Sequence, residues 1–245
     1  MAKNILLLYA RLYANGADLS GDSRSISEIR SGTMEQVPVS GWPEQIRKYK
    51  ASGVHDIGLF GYQAFMNDDA GGAFTVLKDN PSVVATMLFG EGAAPAIGGL
   101  AYLMAGAVFG SPSQFDQHSA TLRADLVPGV NAFTDGKPWG RVLQHAVALT
   151  ATTTSASVDN AVATASGYQA NLHVIAKGSG SVEWVFEIEH SDNGSDWSTL
   201  ASFTLDGDTL TAEHKSGSGT VERYLRLVST RTSGSVTVVC ALSRN

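Results

Sequence analysis

Apolar and polar residues alternate along most of the chain, and this period of two predicts β-strands. The clearest example is residues 181–190, where apolar side chains alternate with polar ones that include Glu183, Glu187 and Glu189. Such a strand buries one face and exposes the other. We therefore interpret the three glutamates as a solvated face and not as a catalytic acid cluster. Similar alternation predicts strands over residues 120–127, 170–176, 221–228 and 235–242.

Helix-like segments are few and short. Residues 42–51 begin with Pro43, which suits the first position of a helix, and residues 69–78 precede Asn80-Pro81, which ends a helical pattern. Near the N-terminus, Arg11 interrupts a short apolar run, so the run predicts a strand and not a signal peptide.

The composition changes near residue 150, where a stretch rich in Thr, Ser and Ala (residues 150–157) precedes short strands separated by Ser/Gly/Asp turns. We therefore predict one domain over residues 1–150 and a second over residues 151–245. The second domain has the strand spacing of a small β-sandwich, of either the immunoglobulin or the jelly-roll kind.

The low content of charged residues, 16%, indicates a surface that is neutral or covered by other subunits, because soluble proteins usually have roughly 25%. Hydrophobic residues make up 43% of the chain, enough for a core. The net charge is −6 and neither half is basic, which argues against electrostatic binding of nucleic acid. No apolar stretch approaches the roughly 20 residues that span a bilayer, so we predict no membrane insertion.

No constellation of residues with catalytic or metal-binding spacing is found. The six histidines are scattered and are predicted to be exposed or on edge strands. The glycine groups lack the full phosphate-loop patterns, and Cys240 falls in an apolar alternation typical of a buried side chain. We therefore predict no catalytic residue, metal, cofactor or enzymatic activity.

The second domain contains two sets of candidate binding residues. A cluster of aspartates could hold calcium, although it lacks the EF-hand pattern and fits ordinary Asx turns; its members are Asp192, Asp196, Asp206 and Asp208. Tyr168 and Trp197 are candidate surface aromatics for a sugar, whereas Trp184 falls on the apolar side of its strand and is expected in the core.

The order of these elements resembles the major tail (tube) protein of long-tailed bacteriophages. The likeness lies in a strand, an Asp-Leu-Ser-Gly turn and a second strand over residues 13–26, and in a glycine- and aromatic-rich strand with an acidic turn over residues 58–73. Further similar stretches are residues 39–49, 99–110, 118–125 and 139–141, and in the second domain residues 190–197 and 222–226 resemble an accessory domain that some of these proteins have.

The resemblance implies a mainly β protein, with a β-sandwich or partly closed barrel flanked by one short helix and followed by a smaller β-sandwich. It also implies that six copies form a ring, that rings stack into a tube, and that double-stranded DNA passes through without sequence-specific binding or catalysis. The implied location is the tail of the virion, after synthesis in the host cytoplasm. The implied partners are further copies and other tail proteins, such as the tape measure, terminator and baseplate or tip proteins.

Two other readings stay open: a different virion component, such as a capsid decoration or fibre protein, and a carbohydrate-binding module. Within the tube reading, our hypothesis is that residues 41–53 form a loop that contacts the next ring, because basic and aromatic residues cluster there in a charge-poor domain. The candidate assembly residues are Trp42, Arg47, Lys48, Tyr49 and Lys50. The alternative is a solvated surface helix.

Overall fold

The computed structural model describes residues 9–38, 49–78, 82–90, 93–109, 121–128, 137–207 and 211–244. These residues form antiparallel β-sheets and one short helix, which confirms the mainly β class. The first half contains β1 Arg11–Ala14, β2 Ala17–Asp18, β3 Ser23–Ser25, β4 Glu28–Pro38, β5 Tyr49–Phe65, α1 Ala73–Lys78, β6 Val83–Leu88, β7 Leu100–Phe109, β8 Thr121–Pro128 and β9 Trp139–Leu149. The second half contains β10 Thr153–Thr154, β11 Val158–Asp159, β12 Tyr168–Lys177, β13 Glu183–Ser191, β14 Ser198–Asp206, β15 Ala212–Gly217, β16 Tyr224–Ser233 and β17 Val236–Arg244.

All five strands predicted from alternation are present, as β8, β12, β13, β16 and β17, although β16 begins three residues later than predicted. Of the two helix predictions, one is confirmed in part and the other is contradicted at its end. The segment 69–78 is helical only over α1, because residues 69–72 form a turn in which the Gly72 N–H donates to the Asp69 carbonyl at 2.9 Å.

The helix predicted over residues 42–51 is wrong at its end, since residues 49–51 belong to β5 and pair with β4; residues 42–48 lie outside the described part of the chain. Antiparallel pairing with β4 supplies backbone hydrogen bonds that override a weak local helix preference.

Strand β7 is the branch point of the larger sheet, which has 12 strands. One edge of β7 pairs with β6, while its other edge pairs first with β9, through Leu100–Tyr102, and then with β8, through Gly106–Phe109. Between these two partners the Leu103 N–H donates to the Pro138 carbonyl at 2.8 Å. One branch therefore continues as β9-β17-β12-β15 and the other as β8-β5-β4.

The smaller sheet contains β10 and β11, both paired with β16, followed by β13 and β14. It packs on the branch that contains β12 and β17 through a buried apolar cluster in which the rings of Trp184 and Phe186 are stacked 5.9 Å apart. Trp184 is thus in the core, as its place in the alternation predicts.

Strands β12 and β17 form a middle layer that is covered on both faces. Residues 168–174 of β12 are all buried, with Ala170 and Leu172 facing the smaller sheet. On the opposite face, Val239 and Ala241 of β17 pack with residues of β1, β6, β7 and β9. A third cluster fills the space among β1, β5, β6, β7, β8 and α1.

Strand β17 pairs with β9 from Val236↔Leu149 to Ser243↔Gly140, so one hydrogen-bonded sheet runs through both halves of the chain. The division into residues 1–150 and 151–245 stays a prediction. The two halves of the chain are joined by the pairing of β9 with β17 and by a shared core. Each half therefore lacks part of its packing without the other.

A chain shortened to residues 1–150 would lose the β17 partner of β9 and expose Val142 and Leu103, which are fully buried in the intact protein. Exposing these side chains costs roughly 25 cal/mol per Å² of apolar surface, so we expect no cooperative unfolding transition in the shortened chain. Thermal circular dichroism beside the full chain checks this. A sharp transition in the shortened chain would contradict it.

Candidate assembly surface

The sequence-predicted assembly residues fall at the start of β5 or just before it. Trp42, Arg47 and Lys48 lie outside the described residues. Tyr49 and Lys50 are in β5, with backbone partners Pro38 and Val37 of β4. Residues 49–53 are therefore part of a strand, so the expectation of a loop over 41–53 is wrong there; the assembly role of these residues stays a prediction.

Strand β5 changes neighbours along its length. Residues 49–57 pair with β4 alone, whereas from Leu59 onward the second edge of β5 pairs with β8. The register with β8 shifts between Leu59 and Tyr62, around Gly61, whose φ is 60°. A Cβ at Gly61 would overlap the Ser27 side chain, so both the backbone angle and the space require glycine.

Two side chains fix β5 at this irregular stretch. The Tyr102 hydroxyl of β7 accepts the Gly58 N–H at 2.9 Å and donates to the Arg30 carbonyl of β4 at 2.5 Å. The Asp125 carboxylate of β8 accepts the Gly61 N–H at 2.6 Å. The base of the β4–β5 hairpin is thus tied to β7 and β8, and the rest of the hairpin continues beyond the last β8 pair.

The outer edge of β4 has no strand partner among the described residues. This edge contrasts with those of the smaller sheet. On β14 the Leu200 carbonyl accepts the Tyr168 hydroxyl at 2.9 Å and the Ser202 carbonyl accepts the Lys215 ammonium. On β16 the outer edge is covered by β10 and β11. In the described part of the chain, the outer edge of β4 therefore has neither a strand partner nor the side-chain bonds seen on β14.

The expectation that Tyr168 is a surface aromatic is wrong, whereas sugar binding itself stays a prediction. Its side chain is 8% exposed and packs in the core, because β12 is the middle layer and both of its faces are covered. Trp197 is half-buried, and the guanidinium carbon of Arg226 lies 4.0 Å from its ring centroid. Arg226 is held by Glu189 at 2.6 Å, so one face of the indole is already occupied.

Of the candidate aspartates of the second domain, Asp196 takes part in a turn, and Asp208 lies outside the described residues. Asn193 Oδ1 accepts the backbone N–H groups of Ser195 and Asp196, and Asn193 Nδ2 donates to Asp196 Oδ2 at 2.8 Å. No group of three or more potential metal ligands occurs among the described residues. Burial raises the pKa of the Cys240 thiol, which keeps it protonated. In the described part of the chain no helix is long and apolar enough to cross a membrane.

Sequence reasoning missed a buried polar contact between β12 and β6. Asn171 Nδ2 lies 2.9 Å from the Ala85 carbonyl and 3.0 Å from Thr86 Oγ1, while His173 Nε2 lies 2.9 Å from the same hydroxyl. The His173 Nδ1 atom accepts the Gly16 N–H, so the proton of the neutral ring is assigned to Nε2.

The expectation that the histidines are exposed or on edge strands is wrong for His173, which is completely buried in a central strand. The polar alternation of β12 resembles that of a solvated face, and only the covering strands β6 and β7 show otherwise. Burial also lowers the pKa of His173 to about 3. The ring is therefore neutral at physiological pH.

The low pKa of His173 predicts a pH-dependent stability. In the unfolded chain this histidine titrates near pH 6.5, so between about pH 6.5 and pH 3 the unfolded state binds more protons than the folded state. We expect the free energy of unfolding to fall with decreasing pH in that window, by at most about 1.4 kcal/mol per pH unit from this residue. Urea unfolding between pH 7.5 and 4.5 measures the slope.

The His173→Gln variant should have a shallower slope than the wild type. An unchanged slope in His173→Gln would mean that other groups control acid stability.

Removing the Tyr102 hydroxyl should loosen the base of the β4–β5 hairpin. Tyr102→Phe leaves the Gly58 N–H and the Arg30 carbonyl without this partner. We expect a loss of about 1–3 kcal/mol in the free energy of unfolding, the usual cost of an unsatisfied buried polar group. The matched control is Tyr224→Phe, at a half-buried position of the smaller sheet. Equal unfolding free energies for the two variants would refute the role of the hydroxyl.

No protein-family model and no curated protein matches the sequence. Among solved structures, the chain is similar to SPP1 Dit (gp 19.1), a hub adsorption apparatus protein of phages that infect Gram-positive bacteria, with 12% identity, 96% of this chain and 99% of that chain covered, and a TM-score of 0.33.

Two further similarities are weaker. The CBM22-1–GH10 modules of Clostridium thermocellum xylanase 10B match with 11% identity over 45% of this chain and 22% of that chain, at a TM-score of 0.26. A structure of the infectious bursal disease virus Gx strain matches with 7% identity over 96% and 69% of the two chains, at a TM-score of 0.23. TM-scores this low do not establish a common fold.

Proposed function

We propose that this chain is a structural protein of a bacteriophage tail, which assembles into stacked hexameric rings that form the tail tube. The sequence resemblance supports the class of protein. The observation that carries the assembly is the β4–β5 hairpin, whose outer edge has no strand partner in the described part of the chain.

The geometry of the hairpin favours strand addition by a second copy. Residues 49–57 of β5 and their β4 partners form a two-stranded ribbon, and such a ribbon is at best marginally stable alone in water. A strand from a neighbouring copy would satisfy the N–H and C=O groups along the edge of β4. This contact joins different surfaces of the two copies, and its repetition closes a ring when the rotation between copies is a whole fraction of a turn.

The other described edges and the contacts at the hairpin base are consistent with strand addition at β4. The long edges of the smaller sheet are covered by Tyr168, Lys215 and the short strands β10 and β11, so we assign that sheet no role in strand addition. Tyr102 and Asp125 hold the hairpin base and limit the flexibility that strand addition would otherwise have to remove.

The proposal includes DNA passage without binding. Double-stranded DNA carries about one negative charge per 1.7 Å, so a basic channel wall would retain it. The net charge of the chain is −6, which is compatible with a channel wall that does not. The proposed location is the virion tail, where the chain contacts other copies and other tail proteins, such as the tape measure, terminator and tip proteins. The proposal assigns the chain no catalytic step.

Negative-stain electron microscopy and size-exclusion mass of the purified protein test assembly. We expect hollow rings or tubes with sixfold averages that increase with protein concentration. Glu35→Pro places a proline on β4 at a residue without a register partner in β5, a position that tolerates proline, so we expect the fold to be retained while strand addition on this edge is weakened.

Glu35→Ala, the matched control, should assemble like the wild type. Thermal unfolding confirms that both variants fold. A wild-type chain that stays monomeric at every concentration would contradict the proposed function, and normal rings from Glu35→Pro would contradict the role of the β4 edge.

A further inference from the structure

An apolar and acidic patch lies at the C-terminal end of β5. Phe65 is 51% exposed and Met66 is 41% exposed, although large apolar side chains are seldom this exposed side by side. Asp68 and Asp69 follow and are both exposed, and no basic side chain among the described residues pairs with either carboxylate. We call residues 65–69 the acidic patch.

Asp22 binds the acidic patch and the start of helix α1 through three hydrogen bonds. Its carbonyl accepts the Phe65 N–H at 2.8 Å, and its carboxylate accepts Asn67 Nδ2 at 3.1 Å and the Ala73 N–H at 2.9 Å. The beginning of helix α1 and the end of β5 are therefore bound to the same side chain, which fixes the segment between them.

Bonds within the segment fix its exposed part. The Asp69 N–H donates to Asn67 Oδ1 at 3.0 Å, and the Thr75 hydroxyl donates to the Asp68 carbonyl at 3.0 Å. All these bonds use backbone or inward-facing groups. Among the described residues neither aspartate carboxylate has a bonded partner, so both carboxylates and the two apolar side chains face outward for a partner. A surface that is rigid before binding loses little conformational entropy when it binds.

The chain itself contains a segment of complementary charge. Residues 39–50 hold Arg47, Lys48 and Lys50 against one acidic residue, Glu44. This segment joins β4 to the start of β5, whereas the acidic patch follows the end of β5. The two oppositely charged segments are thus at opposite ends of a strand of 17 residues, which at about 3.3 Å per residue spans up to about 55 Å.

We infer that the acidic patch receives the basic segment around Arg47 and Lys48 of a second copy, stacked end to end along the tail. Each copy would present its basic end to the acidic end of the next, a heterologous contact that repeats without closing. Phe65 and Met66 supply apolar contact area and the aspartates supply charge complementarity. This inference rests on the proposed function and adds the contact between successive rings.

A charge-swap experiment tests the inference. Asp68→Lys/Asp69→Lys should place like charges at the contact, so we expect rings to form while the concentration needed for tubes rises about tenfold or more. Arg47→Glu/Lys48→Glu should have the same effect. The chain with all four substitutions restores opposite charges in the reverse sense, and we expect it to form tubes again.

The control is Glu183→Lys/Asp192→Lys, which changes the same number of charges on the second domain and should assemble like the wild type. Thermal unfolding midpoints verify that each variant is folded, and electron microscopy counts rings and tubes separately. Because exposed charges are screened over roughly 8–10 Å at physiological salt, tube length in the wild type should also fall as salt is added.

The outcomes separate the two proposals. Absence of both rings and tubes in the wild type contradicts the proposed function. Wild-type tubes together with unimpaired tubes from Asp68→Lys/Asp69→Lys contradict the stacking contact alone. Failure of the four-substitution chain to form tubes, when each pair alone is folded and impaired, also overturns the pairing of these two segments.

Discussion

The fold depends on how β7 satisfies the backbone hydrogen bonds of its two edges. One edge has a single partner, β6, but the other is divided between β9 and β8. A strand with two different neighbours on one edge forces the sheet to separate into two branches. The branch through β9 turns over β6 and β1, and the branch through β8 carries the β4–β5 hairpin. The layering of the whole molecule follows from this division.

The branch through β9 brings two sheets against one middle layer, and the two contacts differ chemically. Toward the smaller sheet, β12 and β17 present mainly apolar side chains, and the Tyr168 hydroxyl at the end of β12 bonds to the Leu200 carbonyl. Toward β6, β12 presents Asn171 and His173, which bind Thr86 and the adjacent carbonyl. Apolar packing tolerates small displacements, whereas hydrogen-bonded groups in a buried contact permit few arrangements. The polar contact therefore specifies how the layers are aligned.

The branch through β8 has the opposite character, because it ends in surfaces that the chain does not cover. Among the described residues, Tyr102 and Asp125 hold the hairpin at its base, and the patch at the far end of β5 leaves Phe65 exposed. In the part of the chain that the structure describes, β10 and β11 pair with β16 and two carbonyls of β14 accept side-chain hydrogen bonds, whereas the outer edge of β4 has no strand partner and Phe65 is exposed. This asymmetry is what our proposals of ring formation and stacking use.

The sequence by itself determined the strand class and the location of the five strands with clear alternation, because a period of two depends only on which residues are apolar. It also determined the core position of Trp184 and the end of helix α1. The tertiary structure decided what covers each face. The polar side of β12 is buried because β6 and β7 lie on it, so His173 is in a core, and the opposite side is buried under the smaller sheet, so Tyr168 is not on the surface.

At the start of β5 the local sequence also failed to predict the structure, because pairing with another strand decided it. Residues 49–51 have a local preference compatible with a helix, but pairing with β4 makes them a strand. The acidic turn after β5 was visible in the sequence, whereas the exposure of Phe65 and Met66 beside it was not. Local pattern fixes which faces a strand has, and only the partners that arrive from distant parts of the chain decide which of those faces meets water.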